Sequence, residues 1–66
     1  MEFLLDHLID DETESAIAHE IKRVDPDAGI MINRTTNRVV VDSWLFPEEF
    51  LVAFDDAGYN VRILDS

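Results

Sequence analysis

The sequence predicts a single α+β domain whose elements follow one another in the order β-α-β-β-α-β. Two observations support this prediction. Apolar residues recur at helical spacing in two segments, whereas the other four segments alternate between apolar and polar residues or form short apolar runs. A chain of 66 residues has room for one domain, which we expect to span residues 1–66.

The first part of the chain predicts a strand followed by a helix. The apolar run at residues 3–9 is the predicted first strand. Ile17, Ile21 and Val24 then fall at i, i+4 and i+7, which is the spacing of one helical face. Acidic residues precede this helix and basic residues close it, each with the sign that the helix dipole favours. Pro26 ends the helix, because the residue before a proline avoids helical backbone angles.

The middle of the chain predicts a β-hairpin. Ile30 and Ile32 alternate with their neighbours, as expected for a strand with one apolar face. Residues 34–37 form a polar turn, and the β-branched run at residues 39–41 is a second strand.

The last part of the chain predicts a second helix and a final strand. Pro47 suits the first position of a helix, and Gly58 suits the position just beyond its end. The apolar face of this helix consists of Phe50, Phe54 and Ala57. The apolar face of the final strand consists of Tyr59, Val61 and Ile63.

This order of elements is that of the ferredoxin-like fold, in which a four-stranded antiparallel sheet carries two helices on one face. Because the predicted second and fourth strands alternate, we expect the other face of the sheet to be open to water.

The charge of the chain limits the kinds of partner that it can bind. There are 15 acidic residues and 5 basic ones, a formal charge of −10. Phosphates repel such a chain, so we expect no nucleic-acid partner and no binding to an anionic membrane. A cation or a protein with a basic surface fits the charge, although the charge can also serve solubility alone.

Targeting and membrane-spanning segments have sequence features that bear on where a protein is located. The first residues show no basic stretch before a long apolar run, and no apolar stretch approaches the roughly 20 residues that a membrane span needs. We therefore expect a cytoplasmic protein without membrane insertion.

Several segments resemble the heavy-metal-associated family, the small copper and zinc chaperones. Residues 50–59 read Phe-Leu-Val-Ala-Phe-Asp-Asp-Ala-Gly-Tyr, and the second helix of that family ends in Ala-Gly-Tyr. Residues 3–8 fit the first strand of the family, with His7 at its glycine position and Leu8 at its methionine position. The resemblance covers nearly the whole chain and implies the ferredoxin-like fold.

The chain departs from this family at the metal loop. The family motif is Cys-x-x-Cys, and counting back from Ile17 places its cysteines at Asp10 and Thr13. Copper(I) prefers sulfur ligands, but the chain has no cysteine, and its only sulfur atoms belong to Met1 and Met31. We therefore expect no tight copper(I) transport by the mechanism of the family.

An alternative is a metal site made of oxygen ligands in the same loop. Asp10, Asp11 and Glu12 are clustered carboxylates, which suit hard cations, and His7 adds a nitrogen that suits zinc or nickel. The candidate cofactor is a divalent ion such as zinc, nickel, calcium or copper(II), although the sequence requires none. The same acids can serve only to complement the helix dipole.

Three aromatic residues are candidates for contact with another protein. Trp44 and Phe46 lie in a connection between a strand and a helix, where polar residues are usual, and exposed aromatic side chains can anchor a partner. They can instead cover the edge of a small core. Tyr59 is the third candidate, because the resemblance places it near the metal loop; its alternative role is that of a half-buried strand residue.

The sequence contains no catalytic constellation. No serine or cysteine has an evident base, and there is no glycine-rich phosphate loop. We therefore expect a binding domain, not an enzyme, that acts through contacts with a protein carrying a basic surface. The alternative is a metal-ion-binding protein that uses carboxylate and histidine ligands.

Overall fold

The predicted elements occur in the predicted order in the computed structural model, which describes residues 1–65. They are β1 (Glu2–Leu5), α1 (Asp11–Val24), β2 (Gly29–Asn33), β3 (Arg38–Asp42), α2 (Pro47–Asp56) and β4 (Val61–Asp65). The strands form one antiparallel sheet in the order β2-β3-β1-β4, and the two helices cover one of its faces. The ferredoxin-like prediction is confirmed.

Two strand boundaries differ from the prediction. The first strand was predicted over residues 3–9, but β1 ends at Leu5, whose N–H donates to the carbonyl of Asn37 at 2.9 Å. The chain then bends away from the sheet, and only Ile9 returns to the core. Tyr59 lies before β4, because its N–H donates to the carbonyl of Phe54 at 2.9 Å and so closes α2.

Local hydrogen bonds fix where each helix begins and ends. The Asp10 carboxylate accepts the N–H of Thr13 at 2.8 Å and caps α1, as acids at this position commonly do. At the start of α2 the Glu49 carboxylate accepts the N–H of Phe46 at 3.1 Å. Gly58 follows α2 with a φ of 89°, a left-handed conformation that glycine adopts without steric cost.

Three phenylalanines form the centre of the core. The ring of Phe3 on β1 meets the ring of Phe54 edge-on at 5.3 Å between centroids and that of Phe50 at 6.4 Å. All three side chains are fully buried. Other buried apolar residues complete the core: Leu5, Ile9, Ile17, Ile21, Ala28, Val39, Val41 and Ala53. Since the chain has no cysteine, this core must supply most of its stability.

No helix within residues 1–65 has the length and apolar character needed to cross a membrane.

The substitution Phe54→Ala should unfold much of the protein. Removing a buried phenylalanine costs about 3–5 kcal/mol. Domains have about 0.05–0.15 kcal/mol of unfolding free energy per residue, so this chain has roughly 3–10 kcal/mol in total. Urea denaturation followed by circular dichroism should therefore show a large drop in the midpoint.

The control for this experiment is Val52→Ala on the same helix. Val52 is exposed, so its substitution should change the unfolding free energy by less than about 0.5 kcal/mol. Equal midpoints for the two variants would contradict the central place that we assign to the aromatic cluster.

Candidate functional site

Three connections meet at one end of the sheet. They are residues 6–10 between β1 and α1, residues 34–37 between β2 and β3, and residues 57–60 between α2 and β4. The hydrogen bond from Leu5 to Asn37 joins the end of β1, where the first connection begins, to the second connection. The ring of His7 stacks on that of Tyr59, with centroids 5.6 Å apart and planes inclined by 20°. We call these connections, together with the first turn of α1, the acidic end.

Asp10 and Thr13 are the positions at which the resemblance would place the cysteines of the family. The hydrogen bond from the Thr13 N–H stabilises the carboxylate form of Asp10 and lowers its pKa below the ordinary value of 3.8. Thr13 itself is only 9% exposed. In this chain the two positions serve the start of α1, one as its cap and the other as part of the buried side of the helix.

Arg34 neutralises two of the acids at this end. Its Nη2 donates to Asp11 Oδ1 at 2.7 Å, and its Nε donates to Glu14 Oε1 at 2.9 Å. These bonds, first the one to Asp11, raise the pKa of Arg34 above its usual range. The guanidinium thus ties the β2–β3 turn to the first turn of α1, and it supplies a positive charge within the chain itself.

The structure does not bring the four candidate metal ligands together. Asp10 caps α1, Asp11 contacts Arg34, and Glu12 is exposed. His7 Nδ1 lies 2.8 Å from Asp6 Oδ1, and this hydrogen bond lowers the pKa of Asp6. In the part of the chain that the structure describes, no three histidine, aspartate or glutamate side chains converge where they could hold a metal ion. The oxygen-ligand site stays a prediction.

The candidate protein-binding residues Trp44 and Phe46 lie on a second surface, the aromatic loop, which we define as residues 43–46. Trp44 is 85% exposed and Phe46 is 74% exposed, whereas Leu45 between them packs against the core. The two aromatic side chains therefore project into water from a loop whose middle residue is anchored.

A buried carboxylate fixes the conformation of the aromatic loop. Asp25, at the end of α1, is 6% exposed. Its Oδ2 accepts the hydroxyl of Ser43 at 2.6 Å, and its Oδ1 accepts the N–H of Asp27 at 3.0 Å. The Ser43 hydroxyl oxygen in turn accepts the N–H of Leu45 at 3.1 Å. Trp44 is therefore held between two tethered residues.

The aromatic loop and the acidic end lie at opposite ends of the sheet. Met1, just before β1, exchanges two backbone hydrogen bonds with Val41, two residues before the loop. Leu5, at the other end of β1, contacts the β2–β3 turn. Strands of this length separate the ends by roughly 15 Å, at about 3.3 Å per residue. Tyr59, which contacts His7, therefore does not share a surface with Trp44.

Sequence reasoning missed two features of the acidic end. Arg34 was not singled out, although the ferredoxin-like order places the β2–β3 turn beside the start of α1 and the chain has few basic residues to place there. The resemblance aligned Leu8 with a methionine of the family, yet Leu8 is 77% exposed while Ile9 is buried. Leu8 and Ile9 are adjacent and both apolar, so the sequence of this bend does not indicate which of the two side chains is buried.

Solved structures with the same fold include metal-binding proteins. A gold binding protein is 26% identical, with a TM-score of 0.87 and coverage of 94% of this chain and 95% of its own. The copper chaperone Atx1 from Synechocystis is 21% identical, with a TM-score of 0.87 and coverage of 94% and 98%. A cyanobacterial copper metallochaperone, ScAtx1, is 19% identical, with a TM-score of 0.77 and coverage of 94% and 97%.

The chain has a heavy-metal-associated-like fold. No protein-family model matches the sequence, and no curated protein matches it. The likeness is therefore one of backbone architecture over nearly the full length of each chain.

The cap at Asp10 should give the protein an acid-sensitive component of stability. Because the folded pKa of Asp10 lies below its unfolded value, its contribution is present above pH 3.8 and is lost as the pH falls through the folded pKa. Asn at this position also accepts the hydrogen bond but does not titrate. The unfolding free energy of the wild type should therefore fall relative to that of Asp10→Asn as the pH is lowered from 5 to 2.5.

Chemical denaturation at several pH values measures this difference, and NMR titration of the Asp10 carboxyl checks the pKa directly. Parallel curves for the two proteins across the whole range would contradict the assignment of Asp10 as a titrating cap.

Proposed function

We propose that this chain is a non-enzymatic, heavy-metal-associated-like domain that binds another protein through the aromatic loop and does not carry metal on thiolates. The observation on which the proposal rests is the exposure of Trp44 and Phe46 on a loop tethered at Ser43. Burial of apolar surface by a partner releases about 25 cal/mol for each Å² removed from water. A tethered loop also loses little conformational entropy on binding.

The charges around the aromatic loop favour a basic partner. Asp42 precedes the loop, and Glu48 and Glu49 follow it in the first turn of α2. Residues 39–61 contain no lysine or arginine. A partner surface with an apolar pocket flanked by lysine or arginine therefore complements this region, and a basic side chain can also lie over the ring of Trp44.

The chemistry of the acidic end argues against transport of soft metals. The structural neighbours include a gold binding protein and a copper chaperone. Copper(I) is a soft cation and is held by sulfur, whereas the corresponding positions here carry the oxygen atoms of Asp10 and Thr13. We propose that this end has a structural role, in which the Asp10 cap and the Arg34 bonds replace any stabilisation by metal.

Replacing Trp44 by alanine should weaken binding of the physiological partner by at least about 30-fold, which corresponds to the 2 kcal/mol typical of an aromatic hot spot. The partner is first identified by photo-crosslinking in cells, with a photoreactive amino acid in place of Phe46. The affinity of the purified partner is then measured by calorimetry for the wild type and for Trp44→Ala.

Val52 provides the matched control. Val52 is an exposed residue in the middle of α2 and does not belong to the aromatic loop. A photoreactive residue at this position should therefore not capture the same protein. Val52→Ala should leave the affinity unchanged. An affinity of the Trp44→Ala variant equal to that of the wild type would contradict the proposal.

The second candidate function is binding of a divalent metal at the acidic end, and the likeness to metal-binding proteins is the observation that favours it. His7, Asp10, Asp11 and Glu12 remain its proposed ligands. Such a site requires Asp11 to leave Arg34 and requires Asp10 to turn away from Thr13. These costs are why we place it second.

Amide NMR spectra recorded with zinc, nickel, calcium and copper(II) distinguish the two candidates. If the acidic end only stabilises the fold, the amide chemical-shift changes should be spread over many residues. They should appear only at roughly millimolar metal, as charge screening predicts. Arg34→Gln, which frees Asp11 and Glu14, tests whether the guanidinium excludes a cation. Saturable shifts confined to residues 7–14 of the wild type at micromolar metal would replace the first candidate by the second.

A further inference from the structure

The two edges of the sheet differ in how they are protected against pairing. The edge strand β4 carries Arg62, and its pairing with β1 has a register shift between Glu2 and Phe3. Charges and irregular register are features that keep an edge strand from pairing with another chain. The opposite edge strand, β2, reads Gly-Ile-Met-Ile-Asn, with no charge and no proline, and its register with β3 is continuous. Within residues 1–65, β2 therefore leaves one side of its backbone available to a further strand.

The open face of the sheet beside this edge is apolar. Met31 of β2 is 70% exposed and lies opposite Val40 of β3, which is 39% exposed. Together with Gly29 and Asp42, these residues line a groove along the edge. Exposed apolar side chains next to an unpaired strand are the arrangement that favours addition of another strand.

One stripe of α1 runs beside the same edge. Glu14, Ala18 and Lys22 follow one another at intervals of four residues, so they lie on one side of the helix. Glu14 contacts Arg34, just after β2, and the Lys22 ammonium donates to the carbonyl of Ala28, just before β2, at 2.6 Å. The stripe therefore follows the full length of β2, with an acid at one end, a base at the other and a small residue between them.

We propose that β2 pairs in antiparallel fashion with β2 of a second copy of this chain, about a two-fold axis at Met31. This axis places Met31 opposite its symmetry mate and Ile30 opposite Ile32 of the other copy. The same axis passes near the middle of the α1 stripe, because α1 and β2 run beside each other over the same length. Ala18 then faces Ala18 of the second copy.

The charges of the stripe complement one another across this axis. Glu14 of each copy faces Lys22 of the other. Arg34 occupies only Oε1 of Glu14, and the carbonyls of Ala28 and Pro26 use two of the three N–H donors of Lys22, so each group can still form an ion pair. The contact between the two copies, which we call the seam, therefore has one symmetric ion pair at each end. The small side chain of Ala18 allows the two helices to approach closely at the centre. The strand between the ion pairs carries no charge, so the seam contains no buried unpaired group despite the net charge of −10. The seam uses neither the aromatic loop nor any metal ligand, so the inference is independent of the proposed function.

Sedimentation equilibrium on the purified chain tests the pairing. The measurement uses 150 mM salt, which screens the overall charge beyond about 8 Å. The mean mass of the wild type should rise from 7.6 kDa towards twice that value as its concentration is raised to about 1 mM, because a dimer with a Kd of about 1 mM or tighter is well populated there. Met31→Lys places two ammonium groups at the axis and should weaken the dimer at least tenfold. Val52→Lys, an equally exposed position on α2, should not.

Two charge-reversed variants test the orientation of the copies. Lys22→Glu alone and Glu14→Lys alone each place like charges across the seam, so each should be monomeric. An equimolar mixture of the two variants restores both ion pairs and should form a heterodimer. Circular dichroism confirms that each variant is folded.

Three outcomes would overturn the proposal. The first is a wild type that stays monomeric at about 1 mM. The second is a dimer that Val52→Lys weakens as much as Met31→Lys does. The third is a mixture of the charge-reversed variants that does not associate.

Discussion

The contact of Phe3 with Phe50 and Phe54 fixes the position of α2 on the sheet, and with it the positions of the aromatic loop and of Tyr59. Phe3 lies on β1, one of the two inner strands, and the other two rings lie one turn apart on α2. Because α2 begins at the aromatic loop and ends next to Tyr59, these ring contacts determine where both lie. A chain of this size without cysteine buries too little surface to tolerate loss of such a contact.

At the acidic end, the loop between β1 and α1 contains no sulfur atom. The loop is held from within the chain: Asp10 caps α1, Arg34 joins the hairpin to the helix, and His7 stacks on Tyr59. These are exposed interactions, whose individual strength is modest in water. Their combined effect is to hold three connections in one arrangement.

The sequence predicts the elements of the fold well, because each one has a local cause. The helical spacing of Ile17 and Ile21, the position of Pro47 and the β-branched run before Asp42 depend only on neighbouring residues, and the structure confirms the elements that they predict. Predictions from sequence fail where a residue far along the chain determines the end of an element. β1 ends early because Leu5 bonds to Asn37, which lies 32 positions further along the chain.

The same distinction applies to the candidate site. The cap at Asp10 follows from its place before a helix, so sequence alone indicates it. The bonds of Arg34 join residues 20 and 23 positions apart and are visible only once the topology is known. The bond that tethers Ser43 to Asp25 is also a tertiary feature, because it joins residues 18 positions apart. Tyr59 lies beside His7 at the acidic end, which is where the resemblance to the heavy-metal-associated family placed it.

The aromatic loop and the acidic end are far enough apart for their charges to act independently. The longest dimension of the molecule is 27 Å, and at physiological salt a charge is screened within about 8 Å. Substitutions at one end therefore leave the electrostatic surroundings of the other nearly unaltered. The residues of the acidic end can therefore change without altering the charge environment of Trp44, and the reverse also holds.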